Sequence, residues 1–398
     1  MSRTHLDAGF IGYGRQEVRD DDVEAVAKVL RGERLTQGAA LDEFEAALCE
    51  ATGAEFAIAV NSGTAALQLA MAAVGIGPGK KVVTSANTFL ASATTAIWCG
   101  AEVEFIDIDP HTMNMDLDAL EIRLAQGGVD CVVPVHFAGL PCDMQRLVEL
   151  KVQYDFKLID DACHALGGTY ECAGASWRIG EFPICDATVL SFHPVKLITT
   201  GEGGAVLLHD KDVAERVRKL RHHGSQRDES ARPFADSTAC PPWFTPMTEL
   251  GGNSRLSDIG AALGTSQLKR LHDNLESRRS QVLRYDMAFA NDCFTGLQAP
   301  PRNDGHAWHL YVIRCKYDER DQLLQYLLDN GIGAQLHYYP VPMNPYFVER
   351  YGVQEVPAAE EYARRGLSIP LYPCLPLADQ QHVIEVLEKW CSQRGATR

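Results

Sequence analysis

The sequence predicts an α/β fold: a mostly parallel sheet flanked by helices, followed by a smaller α/β unit. Three observations predict it. From about residue 40 to 210, apolar runs of strand length alternate with helix-length segments. Those strand-like runs are predominantly apolar, the pattern of strands buried on both faces by crossover helices. The alternation then breaks at residues 226–248, which carry Pro233, Pro241, Pro242 and Pro246, and a shorter one begins beyond them.

Taken in order, residues 55–60 (Glu-Phe-Ala-Ile-Ala-Val) read as a strand, and 64–74, rich in Ala and Leu, as a helix. Residues 81–84 are strand-like, 91–99 helical and 102–106 strand-like again. A helix at 117–125, an apolar strand at 130–135, a helix at 143–154 and a buried strand at 156–159 continue the series. Strands at 186–190 and 204–208 close it. Residues 226–248 form a long loop, a length that in compact domains is functional or disordered. Beyond it come a helix at 258–271, a strand at 308–314, a helix at 319–330, a strand at 334–337 and a helix at 379–390. The expected division is a large domain over 1–255 and a small one over 256–398. Parallel sheets of this type gather ligands at the carboxyl ends of their strands, so the loops after the strands are where function is expected.

Composition narrows the function. The 398-residue chain carries a formal charge of −16, which argues against a nucleic-acid surface. Its 12 cysteines are irregularly spaced with no C-x-x-C pair, so neither a zinc site nor a thioredoxin-like motif is expected. No apolar run approaches the ~20 residues needed to span a bilayer, and residues 1–10 have no apolar core of leader length. Reduced thiols and a cytoplasmic location are the expectation.

The most informative stretch is Ser191-Phe192-His193-Pro194-Val195-Lys196-Leu197-Ile198-Thr199-Thr200-Gly201-Glu202-Gly203-Gly204. It sets one lysine between two buried strands. Burial disfavours the ammonium and lowers its pKa, as a Schiff-base lysine requires. Three other loops supply what a phosphate-bearing aldehyde cofactor needs. Ser62, Gly63, Thr64 and Ala65 stand where a strand gives way to a helix, an anion site made of first-turn amides and hydroxyls, or a plain N-cap. In Asp160-Asp161-Ala162-Cys163-His164, Asp161 is the carboxylate expected to pair with a protonated ring nitrogen, and Asp160 is structural. His164 would lie against the ring. Phe89, after Asn87-Thr88, would lie flat on a planar heteroaromatic, or simply be core. Two glycine-rich stretches, 75–81 and 201–204, lack the spacing and the following helix of nucleotide-binding loops.

With these residues in place, the chain resembles the nucleotide-sugar aminotransferases of the DegT/StrS group, which have the aspartate aminotransferase-like fold (fold type I). The similarity runs from Leu35-Thr36-Gln37-Gly38 to Leu367-Ser368-Ile369-Pro370-Leu371, with the Ser191 to Gly204 run as its most specific part. The resemblance implies pyridoxal 5'-phosphate (PLP) held by Lys196, with Asp161 on its pyridine nitrogen and His164 beside the ring. It puts Thr64, Ala65 and Ser191 on the phosphate. It also implies a homodimer whose active sites are shared. In the group, the segment reaching the neighbour's cofactor reads roughly Gly-Tyr-Asn-Tyr-Arg. Here it is Gly251-Gly252-Asn253-Ser254-Arg255, which keeps Asn253 for the cofactor and Arg255 for the substrate but replaces both tyrosines. Lys196 argues against the dehydratases of the group, which carry histidine there. His337, Tyr338 and the proline-rich loop at 226–248 are candidate substrate contacts, with packing the alternative for Tyr338.

The segments around Trp308 and 331–341 are most similar to members that use L-glutamate to aminate C4 of a UDP-linked 2-acetamido-2,6-dideoxy-4-keto hexose. That sugar is UDP-2-acetamido-2,6-dideoxy-4-keto-altrose, of pseudaminic acid biosynthesis. UDP-4-keto-arabinose or another 4-keto nucleotide sugar is the alternative, and a non-catalytic PLP-binding regulator a remoter one. No metal is implied.

Overall fold

The computed structural model describes residues 9–395, so residues 1–8 of the N-terminal reading lie outside the described residues. Eleven strands are formed among the described residues. Seven make the large sheet: β1 (Phe56–Val60), β2 (Lys81–Ser85), β3 (Glu102–Ile106), β4 (Cys131–Val133), β5 (Lys157–Asp161), and, after the hairpin β6 (Thr169–Cys172) and β7 (Ala175–Arg178), β8 (Ala187–Ser191) and β9 (Gly204–Leu208). A smaller two-stranded sheet pairs β10 (Tyr311–Arg314) with β11 (Gly366–Ile369) antiparallel. The large sheet runs β1-β9-β8-β5-β4-β2-β3. Its contacts from β8 to β3 are parallel, and β9 alone runs antiparallel to both its neighbours.

Helices cover both faces, as the predominantly apolar strands required. After α1 (Asp20–Leu30), α2 (Ala39–Thr52) lies on one face. Helices α3 (Gly63–Ala73) and α4 (Ala91–Trp98) lie on the other, and α5 (Leu117–Leu124) and α6 (Met144–Tyr154) join α2. Polar caps start several of them. Asp116 accepts from Asp118 and Ala119, Asp143 from Arg146, and Asp210 opens α7 (Lys211–Arg221) by accepting from Asp212 and Val213. Phe44, Leu48, Leu147 and Leu158 build the core on the α2 face, and Ile58, Leu67, Val133 and Ile159 that on the α3 face.

The expected helix at 258–271 is instead two: α8 (Asp258–Leu268), capped by Ser257, and α9 (Leu271–Phe289). The long α9 is hidden in the sequence by its charges, and it buries Leu275, Val282 and Tyr285 along one stripe. A separate apolar core gathers α9, β10, β11, α10 (Arg320–Asp329) and α13 (Leu377–Gly395), with α11 (Pro345–Tyr351) and α12 (Pro357–Arg365) between the last strands. The chain crosses between cores more than once. Ile11 belongs to this last core, and Leu256, Ala261, Leu271 and Leu275 to that of the α2 face. The expected strand at 334–337 is only an isolated bridge, Gln335 to Ser368, because β11 takes the place beside β10. Strand β10 starts three residues late, since Trp308 adopts φ 52°, outside the β region. No helix among the described residues is long and apolar enough to cross a membrane.

One buried ion pair ties the first helix down. Arg270 Nη2 donates to Asp22 Oδ2 at 2.7 Å, where Asp22 is fully buried, and Gln267 donates to the same oxygen at 2.8 Å. Breaking such a pair strands a charge in the interior. Arg270→Ala is expected to lower stability by about 3–5 kcal/mol, read as a lower denaturation midpoint, and Asp22→Leu with Arg270→Met to recover most of it. A midpoint unmoved by Arg270→Ala would contradict this account.

Candidate active site

The carboxyl ends of β2, β5 and β8 and the starts of α3 and α4 open on one cavity of about 410 Å³. This is the edge at which a parallel sheet gathers ligands.

The stretch after β8 folds back on itself through its own hydroxyls. Phe192 donates its amide to Gly203 O at 2.9 Å, Thr199 Oγ1 donates to Phe192 O at 3.1 Å, and Gly201 N donates to Thr199 Oγ1 at 3.0 Å. Phe192 anchors the loop from below, edge-on to Phe44 at 5.3 Å. That closure fixes Lys196 on the cavity wall, where burial pushes its ammonium below the usual lysine value against the opposing pull of Cys163 and Asp161. A lysine so placed is a better nucleophile and proton acceptor than a surface one.

Two successive carboxylates end β5, and the alternation of a strand sends them to opposite faces. Asp161 lines the cavity; its Oδ2 accepts from Ser92 Oγ at 2.7 Å and its Oδ1 from Cys163 N at 3.2 Å. Asp160 turns into the other face and meets His136 Nε2 at 2.8 Å, with both side chains sealed from solvent. Burial alone would depress His136; the Asp160 carboxylate outweighs it and holds the imidazole well above its usual value. His136 Nδ1 accepts from Cys142 N at 2.9 Å.

His164 is buried on the wall beside Asp161. Its Nδ1 accepts from Ala138 N at 3.3 Å, which assigns the hydrogen to Nε2, and Nε2 donates to Tyr338 Oη at 3.0 Å. Burial and the nearby Lys196 and His337 push His164 well below its usual value, so the ring is neutral. The Tyr338 hydroxyl, which accepts from His164, keeps its own proton; burial and Asp161 raise it well above the usual tyrosine value. His337 is buried, bonded through Nδ1 to Ser368 Oγ at 2.8 Å, and lowered to about 3 by burial and Lys196. Phe89 lines the mouth, 55% exposed, with its ring 6.0 Å from that of Tyr338.

At the far end, Ser62 caps α3 by accepting from Ala65 N at 3.1 Å. The amides of Gly63 and Thr64 precede the first intrahelical bond, so the fold of the helix itself provides them no acceptor. Bare backbone is needed here. A Cβ on Gly63 would meet Ser191 Cβ at 2.9 Å, and one on Gly204 would meet Ser62 C at 2.6 Å. The approach brings Ser62, Thr64 and Ser191 together at a helix N-terminus, an arrangement with the chemistry to hold an anion.

The structure therefore brings together Lys196, Asp161, His164, Ser62, Gly63, Thr64, Ser191, Phe89, His337 and Tyr338 in one cavity. Ala65 contributes through the Ser62 cap and is not on the wall. Asn253 and Arg255 lie outside this chain's own cavity. Arg255 Nη1 donates to His222 Nδ1 at 2.6 Å, and Asn253 O accepts from Asn61 Nδ2 at 3.4 Å. Sequence reasoning missed Ser92, Cys163, Glu202, Gln335, Tyr13 and His309 on the wall. The first four lie within a few residues of motifs that were read, and helical spacing from Phe89 would have found Ser92. Nothing local marks Tyr13.

The model of the DegT/DnrJ/EryC1/StrS aminotransferase family matches residues 16–388. Among curated proteins, the chain is 36% identical over 388 residues to the spore coat polysaccharide biosynthesis protein SpsC of Bacillus subtilis, spanning 95% of this chain and 96% of that one. It is also 36% identical over 382 residues to the UDP-4-amino-4,6-dideoxy-N-acetyl-beta-L-altrosamine transaminase of Campylobacter jejuni, with the same coverage. Among solved structures, Helicobacter pylori PseC, an aminotransferase involved in the biosynthesis of pseudoaminic acid, superposes with a TM-score of 0.88 at 27% identity, over 96% of this chain and 100% of that one. The PLP form of the putative sugar aminotransferase Spr1654 of Streptococcus pneumoniae gives 0.85 at 26%, over 96% and 99%.

Proposed function

Because the chain belongs to the DegT/DnrJ/EryC1/StrS aminotransferase family, we propose that it moves the amino group of L-glutamate to C4 of UDP-2-acetamido-2,6-dideoxy-4-keto-altrose. The protein is a PLP-dependent sugar aminotransferase. The convergence of Lys196, Asp161 and the α3 N-terminus in one cavity carries the reading, since it matches the aldehyde, ring nitrogen and phosphate of the cofactor end for end. When bound, the cofactor supplies an electron sink for cleavage of the C–H bond beside nitrogen.

The chain's own residues do the rest. Lys196 anchors the cofactor covalently and, once released, carries a proton between glutamate Cα or sugar C4 and the cofactor carbon. Asp161, its carboxylate steadied by Ser92 and the Cys163 amide, holds a proton on the ring nitrogen. His164, neutral and pinned from both ring nitrogens, supports the ring without adding charge. Gly63, Thr64, Ser62 and Ser191 bind the phosphate.

Glutamate and the UDP diphosphate bring negative charge, yet among the described lining residues Lys196 is the only lysine or arginine. We read Arg255 and Asn253, which lie outside their own cavity, as serving that of a second copy in a homodimer with shared sites. Twelve free cysteines fit work in the reducing cytoplasm.

The altrosamine transaminase supports the sugar, while the equal identity to SpsC favours keeping a second one in view: UDP-4-keto-arabinose or another 4-keto nucleotide sugar. Glutamate-treated protein, freed of glutamate, is mixed separately with the altrose and arabinose sugars, and recovery of the bound cofactor's resting absorbance is followed in a single turnover. Recovery with the altrose sugar alone is expected. Recovery with arabinose alone would transfer the assignment to the second reading, and no response to glutamate at all would refute the donor.

A further inference from the structure

Arg278 lies in α9 and is 1% exposed, and no carboxylate pairs with it among the described residues. Its Nη1 bonds backbone instead, while its buried Nε has no hydrogen-bond partner among the described residues. Nη1 donates to Trp308 O at 3.2 Å, His309 O at 3.1 Å and Leu371 O at 3.0 Å. A buried, unpaired arginine is costly, and its position suits holding a segment in a shape that the segment would not choose. Trp308, at φ 52°, is such a segment.

The same segment is strapped from the other side. Trp308 N donates to His306 Nδ1 at 2.9 Å, Ala307 N to Gly139 O at 2.9 Å, and Leu310 N to Ala138 O at 3.1 Å. Gly139 sits so close that a Cβ there would meet Trp308 N at 3.0 Å and His309 N at 3.1 Å. The product of this clamp is the place of the His309 ring. It is 3% exposed, lines the cavity, and stands 4.5 Å from the His164 ring.

His309 Nδ1 is sealed in with no hydrogen-bond partner among the described residues. A buried orphan N–H is rarer than a buried orphan acceptor, which puts the hydrogen on Nε2. Burial first, then His164, Lys196, Arg278 and His337, hold the ring well below its usual value, so it is uncharged.

We propose that His309 orients the acceptor sugar by donating one hydrogen bond from Nε2 to an uncharged sugar oxygen, and that Arg278 is the residue that positions it. This rests on the sugar aminotransferase reading above. A single neutral donor matches a hydroxyl, keto or acetamido oxygen, whereas the carboxylates of glutamate call for cations.

The two half-reactions separate the proposal from that reading. The holoenzyme and the variants His309→Asn, Arg278→Lys and the double change are given glutamate, and then the nucleotide sugar that the unaltered chain aminates. His309→Asn is expected to raise the sugar concentration for half-maximal rate about tenfold, with the sugar half-reaction hit several times harder than the glutamate half-reaction. Arg278→Lys keeps the charge but loses the planar fork, and a smaller loss of the same kind is expected. The double variant should be no worse than His309→Asn alone. Equal losses in both half-reactions, no loss with His309→Asn, or additive losses in the double variant would overturn the proposal. If Arg278→Lys does not fold, the His309→Asn comparison decides alone. An unaltered chain that ignores glutamate would instead sink the aminotransferase reading.

Discussion

Lys196→Ala is expected to abolish sustained transamination, with kcat down at least about 10⁴-fold, while the cofactor still binds. The size follows from the cavity. Its other basic side chains are imidazoles held neutral chiefly by burial, which the variant leaves in place, and His164 and His337 have ring nitrogens committed to neighbours. No other lining residue offers an amine. The residues proposed to hold the phosphate, Ser62, Thr64 and Ser191, and the proposed ring partner, Asp161, line the same cavity from other segments and survive the change. The check is steady-state turnover alongside a cofactor titration by absorbance. Turnover within tenfold of the unaltered protein would remove Lys196 from the chemistry.

Asp161→Asn is expected to cost about 10²–10³ in kcat with little change in stability. The amide keeps the size of the carboxylate but cannot hold a proton on the ring nitrogen, so the loss falls on the chemical step. The neighbouring change, Asp160→Asn, provides the contrast. It replaces the carboxylate that faces His136 Nε2 inside the α2-face core with a weaker partner and is expected to lower the denaturation midpoint, with the cofactor's absorbance unaltered. Two adjacent aspartates thus give opposite signatures, one kinetic and one thermodynamic. Matching effects from both substitutions would show that the faces have been misassigned.

The sheet was legible because each of its strands is a short apolar run between helix-forming segments, and the site was legible because Lys196, Asp161 and Ser62 all follow such runs. What stayed hidden has physical causes. Helix α9 is written mostly in polar and charged residues, and only its partners reveal that Leu275, Val282 and Tyr285 share a stripe. Strand β11 is four residues, Gly-Leu-Ser-Ile, too short for a period to show. Residues 334–337 have the composition of a strand, but pairing is decided by what lies alongside, and there β11 had taken the place. His309 enters the cavity through a positive-φ residue and a buried arginine 31 positions away, a relation no local pattern encodes.

The opposed carboxylates at the end of β5 also constrain how the chain can assemble. Side chains along a strand repeat every two residues, so a slip of one position exchanges the faces. Slipped one way, Asp160 would enter the cavity and Ile159 would confront His136 Nε2. Slipped the other way, Asp161 would take the imidazole and Ala162 would replace it beneath the cofactor. Each misalignment strands a buried polar group or leaves the cavity without an acid, so the His136–Asp160 pair works as a key that admits a single seating of the central strand. A mis-seated chain is thereby marked as unstable before it can become an inactive enzyme.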